Sequence, residues 1–189
     1  IPVVPRKHAL ARLVSGGTVV GISGTHGKST TTVMTTEALT AAGLAPTGVA
    51  GGRVNEWGGN ARLGGDRLFV VEADEYDQAF LALTPTVAVV NNVEADHLEC
   101  YGDLARLEQA FVNFARRAER VLVGVDDAGA RRIAEQNPGV SMRQSEPTPD
   151  VLFGDRLALT VDGLRIELLA AVGETVDCCV MWLPEHRVA

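Results

Sequence analysis

An apolar run, Thr18-Val19-Val20-Gly21-Ile22-Ser23, breaks into Gly24-Thr25-His26-Gly27-Lys28-Ser29-Thr30 and continues as a helix-like stretch to about residue 42. Strand, glycine turn and helix in this order constrain the chain more than any other feature. The unit commits the first strand to an α/β layer and aims backbone N–H groups and the positive end of a helix dipole at one point, where an anion is stabilised. Lys28 adds a full charge there, and Ser29 offers a hydroxyl suited to magnesium. Lys7 and Lys28 are the only lysines in the chain, so a lysine in this loop is no by-product of composition. The spelling departs from the common phosphate loop, which places its first glycine five residues before its second. Here that position is Ile22, Gly21 comes one residue early and Gly24 lies inside the loop, so the turn is built differently. The plainer alternative is a structural turn that carries a lysine by chance. The flanking strand and helix favour a phosphate cradle made of Gly24, Thr25, His26, Gly27, Lys28, Ser29 and Thr30.

A chain of 189 residues holds one sizeable core, or one domain with an appendage. Hydrophobic residues at 46% and charged residues at 22% exclude a disordered or fibrous class. A net charge of −7 argues against nucleic acid or an anionic membrane as main partner, so a bound polyphosphate would be held by local geometry. Cys100, Cys178 and Cys179 form neither a disulfide framework nor a metal spacing, which points to a reducing compartment, the cytoplasm. No apolar run reaches membrane-span length. The N-terminus lacks both the order of a signal peptide and an initiating methionine, as expected for a piece of a longer protein.

Apolar runs of strand length recur at 19–23, 68–72, 87–91 and 121–125, separated by helix-like segments or loops. The expected fold class is α/β, a mostly parallel sheet flanked by helices, since near-continuous Val and Leu runs mark strands buried on both faces. Helices are expected at 28–42 and at 104–117, where Leu104, Leu107, Phe111 and Phe114 fall at helical spacing. Residues 50–66, rich in glycine, read as a loop or short hairpin. It either carries Asn60 and Arg62 towards an anionic group of a substrate or is a surface hairpin. A polar, proline-bearing connection follows at 137–149. Beyond it, 151–161, 164–169 and 176–183 suggest a small antiparallel β unit. The expected division is an entry linker at 1–17, a central nucleotide-binding unit at 18–149 and a small β subdomain at 150–189.

Two further clusters follow strand ends, where an open α/β sheet places its ligands. Glu72, Asp74, Glu75 and Asp77 repel one another, and a cation or a phosphate–metal complex would offset that repulsion. Glu72, closest to its strand, is the most rigidly aimed; the alternative is a solvated acidic turn. Asn91-Asn92-Val93-Glu94-Ala95-Asp96-His97 supplies His97, a metal ligand or proton carrier if it shares the crevice with Lys28 and Glu72, otherwise a structural histidine. Imidazole is an unusual partner for magnesium, which leaves room for manganese or a water-bridged contact.

Residues 24–29, Glu72-Ala73-Asp74-Glu75, residues 92–97, Gly59-Asn60-Ala61-Arg62-Leu63-Gly64 and Tyr101-Gly102-Asp103 together resemble the central ATP-binding domain of the Mur ligases, above all their alanine-adding branch. The resemblance extends from residue 1 to about 133. It implies ATP-driven amide synthesis through an acyl phosphate, with UDP-N-acetylmuramate and L-alanine as substrates in peptidoglycan precursor synthesis. It further implies that Lys28 binds the β- and γ-phosphates, that Ser29 and Glu72 hold a first magnesium, and that His97 with Glu72 holds a second. His26 and Asn92 would lie near the reacting carboxylate, with Lys28, Asn92 and His97 taking part in the chemistry. Three departures accompany it. No lysine follows Lys28 to act as the carbamylated ligand of some family members; the Gly-x-His-Asn signature of the adenine side is absent; and the amino- and carboxy-terminal ligase domains lie outside these residues. The chain alone is therefore expected to bind magnesium–ATP weakly without alanine-dependent phosphate release. The competing expectations are a tripeptide-recycling ligase of the same superfamily and a non-catalytic nucleotide-binding module.

Overall fold

The computed structural model describes residues 3–124, 126–137, 156–161, 164–170 and 179–182. Contacts divide the chain into two units, Ile1–Met142 and Arg143–Ala189.

The first unit is built on a six-stranded sheet. In chain order its elements are α1 (Arg6–Leu13), β1 (Thr18–Ser23), α2 (Lys28–Ala41), β2 (Thr47–Val54), β3 (Gly59–Arg62), β4 (Leu68–Glu72), β5 (Val87–Val90), α3 (Leu98–Tyr101), α4 (Leu104–Ala115), β6 (Arg120–Val123) and α5 (Ala128–Glu135). Short 3-10 segments occupy Asn55–Trp57 and Tyr76–Ala82. The strand order is β3-β2-β4-β1-β5-β6. All neighbouring pairs are parallel except the β2–β3 hairpin. The mostly parallel α/β sheet read from the sequence is therefore present. β1 lies between β4 and β5, so the chain leaves β1 towards one side of the sheet and reaches the other through β5. Such a switch in strand order opens a crevice past the carboxyl ends of the strands.

Register explains how helices cover both faces. Gly48, Val70 and Val20 share one row, and Gly21 and Val71 the next, so the two rows face opposite sides. Thr36 of α2 presses on the first face at Gly48, where an added Cβ would stand 2.7 Å from its Oγ1. Phe114 of α4 presses on the second at Gly21, where an added Cβ would meet the ring at 3.0 Å. Gly21 is thus a packing residue of the core and not an early loop glycine. Under it, Phe80 stacks on Phe114 at 4.9 Å and meets Phe111 edge-on at 5.2 Å, all three fully buried.

The glycine-rich stretch 50–66 is a hairpin, and its first strand extends the main sheet by pairing with β4. Its apolar signal is diluted by glycines that α2 and Glu72 require at Gly48 and Gly51. Residues 6–13, inside the expected entry linker, are helical. Leu10 and Ala11 of α1 pack on the core, and Lys7 Nζ reaches Asp77 Oδ2 at 2.9 Å. No helix among the described residues is long and apolar enough to cross a membrane.

The second unit holds β7 (Arg156–Val161), β8 (Leu164–Ala170) and β9 (Cys179–Trp182), antiparallel in the order β7-β8-β9. The connection expected at 137–149 lies outside the described residues beyond Asn137, as do Cys178 and the ends of two strands expected at 151–161 and 176–183.

Candidate functional site

The turn after β1 is shaped by Gly24 at φ +139° and Gly27 at φ +74°, the latter left-handed at the amino end of α2. An L side chain at Gly24 would also press on the backbone nitrogens of Asn91 and Asn92 at 3.2 Å. That is why this loop needs a glycine inside it. The exit of β5 stitches the turn in place. Thr25 N donates to Asn92 O at 3.1 Å, His26 N to Asn92 Oδ1 at 2.8 Å, and Glu94 N to Thr25 Oγ1 at 2.9 Å. Asn91 Nδ2 reaches Thr31 Oγ1 at 3.0 Å on the first turn of α2. No side chain caps α2, so the N–H groups of its first turn are available to an anion.

Lys28 lies at the centre of this arrangement, folded over its own loop. Its ammonium donates to Gly24 O at 2.8 Å, Thr25 O at 3.2 Å and Glu75 Oε1 at 2.8 Å. Glu75 is 1% exposed, and its second oxygen, Oε2, is buried without a hydrogen-bond partner. Burial pushes its carboxyl above the ordinary glutamate range, against the pull of the Lys28 hydrogen bond. Nothing in the sequence separates Glu75 from Asp74 or Asp77, because only the turn after β4 decides which carboxylate folds inward.

Glu72, at the end of β4, accepts from Ser29 Oγ at 2.8 Å and from Gly51 N at 2.5 Å. A hydroxyl and a carboxylate beside the glycine loop are hard oxygen donors. They fit magnesium, which typically takes one or two protein oxygens and completes its shell with phosphates and water. Among the described residues no three His, Cys, Asp or Glu side chains are grouped to hold a metal. His97 has a left-handed backbone (φ 51°) and turns to Asp96 (3.8 Å), Glu99 (3.5 Å) and the Tyr76 ring (5.3 Å between centroids). Among the described residues no hydrogen bond or ion pair joins His97 to Glu72.

The remaining expected residues divide in the same way. His26 Nε2 stands 3.8 Å from Glu94 Oε2, with Asn92 fastening its backbone. Asn60 is exposed and donates weakly to Ala50 O at 3.4 Å. Arg62, on the stretch read either as a substrate-side loop or as a surface hairpin, gives its guanidinium to both oxygens of Glu37 at 2.6 Å. Trp57 Nε1 donates to the same carboxylate at 2.7 Å. The hydrogen bonds from Trp57 and Arg62 hold the Glu37 carboxyl below the ordinary range, and the trio clamps the hairpin to α2. Next to Glu72 a cavity of about 250 Å³ opens, lined in part by Lys7, Leu10, Asp74, Phe80 and Leu83.

Asp127 was not singled out in the sequence, although an aspartate before a helix is a capping signal. Its Oδ1 accepts from Ala130 N at 2.6 Å, capping α5, and from Val93 N at 3.0 Å, anchoring the segment that fastens the loop after β1. Asp127→Ala is expected to cost about 1–2 kcal/mol in urea unfolding, and Asp127→Asn to restore most of it.

Residues 22–189 match the family described as the Mur ligase middle domain. The chain is 49% identical over 136 residues to a UDP-N-acetylmuramate–L-alanine ligase of Salinispora arenicola, covering 70% of this chain and 27% of that protein. It is 51% identical over 134 residues to the like-named ligase of Thermobifida fusca, covering 70% and 28%. The crystal structure of UDP-N-acetylmuramate:L-alanyl-γ-D-glutamyl-meso-diaminopimelate ligase from Neisseria meningitides superposes with a TM-score of 0.64 at 28% identity, over 71% of this chain and 48% of that one. The chain thus spans under a third of the length of these two curated relatives. The match over residues 22–189 shows that the chain belongs to the Mur ligase family, as the family's middle domain.

Proposed function

We propose that this chain is the ATP-binding core of a ligase that joins L-alanine to UDP-N-acetylmuramate in the cytoplasm, for peptidoglycan precursor synthesis. The observation that carries this is the convergence of an uncapped helix amino end, Lys28 and the Ser29–Glu72 pair on one crevice. In this reading the N–H groups of α2 and the Lys28 ammonium bind the β- and γ-phosphates and spread their charge. Ser29 and Glu72 would hold a magnesium ion, which would supply further charge neutralisation on the phosphates. A lactyl carboxylate oxygen then attacks the γ-phosphorus and ADP leaves. The amine of alanine attacks the resulting acyl phosphate, forming the amide as phosphate departs and the amine loses a proton. Positioning carries such chemistry, with His26 and Asn92 at the edge of the crevice towards which the carboxylate would approach. The identities of 49% and 51% to two UDP-N-acetylmuramate–L-alanine ligases support that substrate pair.

Most of each relative's length lies outside the matched region, so the domains that deliver muramate and alanine are expected from outside this chain. Titration calorimetry of the 189-residue chain with ATP should show binding that strengthens with magnesium and no alanine-dependent phosphate release. Glu72→Gln should reduce the magnesium enhancement by at least the roughly 10–100-fold that outer-sphere changes cost. An unchanged magnesium dependence would remove Glu72 from the metal site.

A further inference from the structure

We propose that Glu75 is a positioning residue that parks the Lys28 ammonium in the nucleotide-free chain, and that it takes up a proton when the ammonium is handed to a polyphosphate. The inference rests on the nucleotide reading above and adds a residue and a proton to it.

An alkylammonium has three N–H bonds, and Lys28 spends them on Gly24 O, Thr25 O and Glu75 Oε1. A phosphate oxygen cannot be added without displacing one of these acceptors. If Glu75 is displaced, a carboxylate that is 1% exposed and already has one buried oxygen without a partner loses its cation as well. If a backbone carbonyl is displaced instead, phosphate and carboxylate share one ammonium, and the added negative charge favours the protonated acid. Both routes raise the proton affinity of Glu75.

The backbone of Glu75 is held in place, so its carboxyl does not reach water by a shift of the chain. The buried Tyr101 hydroxyl of α3 donates to the Glu75 carbonyl, and Gln78 N donates to the same carbonyl at 2.9 Å, pinning the segment. The charged and titratable groups facing Glu75 are Lys28 from α2, Tyr101 from α3 and Asp74 beside it, of which only Lys28 offsets its negative charge. Burial already lifts its proton affinity in the nucleotide-free state. Neutralisation from solvent is then the remaining relief: Lys28 keeps its protons, and one proton passes from water to Glu75.

The test is titration calorimetry of the 189-residue chain with magnesium and ATP near neutral pH, in two buffers of different ionisation enthalpy. Proton release by the nucleotide itself is common to all variants and cancels in the comparison. The wild type should take up about one more proton per nucleotide than Glu75→Gln. Its affinity should also strengthen by up to about tenfold per unit fall in pH through the window where the free chain's Glu75 is ionised, a slope that Glu75→Gln lacks. Equal proton counts in the two proteins would overturn the proposal. Should Glu75→Gln fail to fold, the wild-type slope decides alone, and a flat affinity across that window would overturn it. Absence of any nucleotide binding by the folded wild type would overturn the nucleotide reading and this inference with it.

Discussion

Replacing Lys28 with methionine is expected to weaken magnesium–ATP binding by about 100-fold or more, within the range for removing one member of a desolvated charge contact. The same change should destabilise the fold. The ammonium satisfies two loop carbonyls and Glu75, and methionine satisfies none of them. A buried carboxylate deprived of its partner would cost about 3–5 kcal/mol if it stayed charged. It will protonate instead, which gives the loss a defined pH dependence. With its folded-state proton affinity raised further, Glu75 holds a proton that the unfolded chain has released, beginning near the ordinary glutamate value of 4.5. Stability of the variant therefore falls as pH rises from that value to the raised folded value, by up to about 1.4 kcal/mol per pH unit, and is flat above it. Urea unfolding of wild type and Lys28→Met at several pH values measures this. The deficit should be smallest in acid, and a deficit independent of pH would show that Lys28 does not hold the Glu75 charge.

What could be read from the sequence and what could not separate along one physical line. β1, the glycine turn and α2 were legible because their signals are local: an apolar run, a glycine turn and a helix in direct succession. The Ser29–Glu72 contact follows from two strand ends that any parallel sheet would bring to the same edge. The helix from Leu104 was legible from apolar spacing alone, and its observed end at Ala115 differs only in the last turn. The partners of exposed charges were not legible. Arg62 finds Glu37 across the hairpin and α2, 25 residues away, and no local pattern encodes that meeting. β2 was hidden because it contains glycines at the positions where Thr36 and Glu72 approach its backbone. His97 follows β5 as expected, and its neighbours Asp96, Glu99 and Tyr76, met through a left-handed backbone at His97, were not legible.

The core beneath the site supplies the other large effect. Phe114→Ala is expected to lower stability by about 3–5 kcal/mol, the range for emptying a fully buried aromatic position. Phe114 is 0% exposed, stacks on Phe80 at an interplanar angle of 17°, and fills the space that Gly21 leaves on the sheet. Little can collapse into the void, because the wall is sheet backbone at Gly21 and the nearest ring, Phe80, is also held edge-on by Phe111. The loss should reach the site as well as the core. Phe80 lies in the 3-10 segment that follows Glu75, and its backbone N–H is tied to Asp74 O at 2.8 Å. Loosening Phe80 therefore loosens the turn that presents Glu75 to Lys28. The converse change, Gly21→Val, would drive side-chain atoms against the same ring and is expected to cost a smaller 1–3 kcal/mol, roughly, through overpacking. Urea unfolding gives both values. Amide exchange at Glu75 and Gln78 should accelerate in Phe114→Ala beyond the change set by global stability, whereas protection that falls only in step with global stability would confine Phe114 to the core.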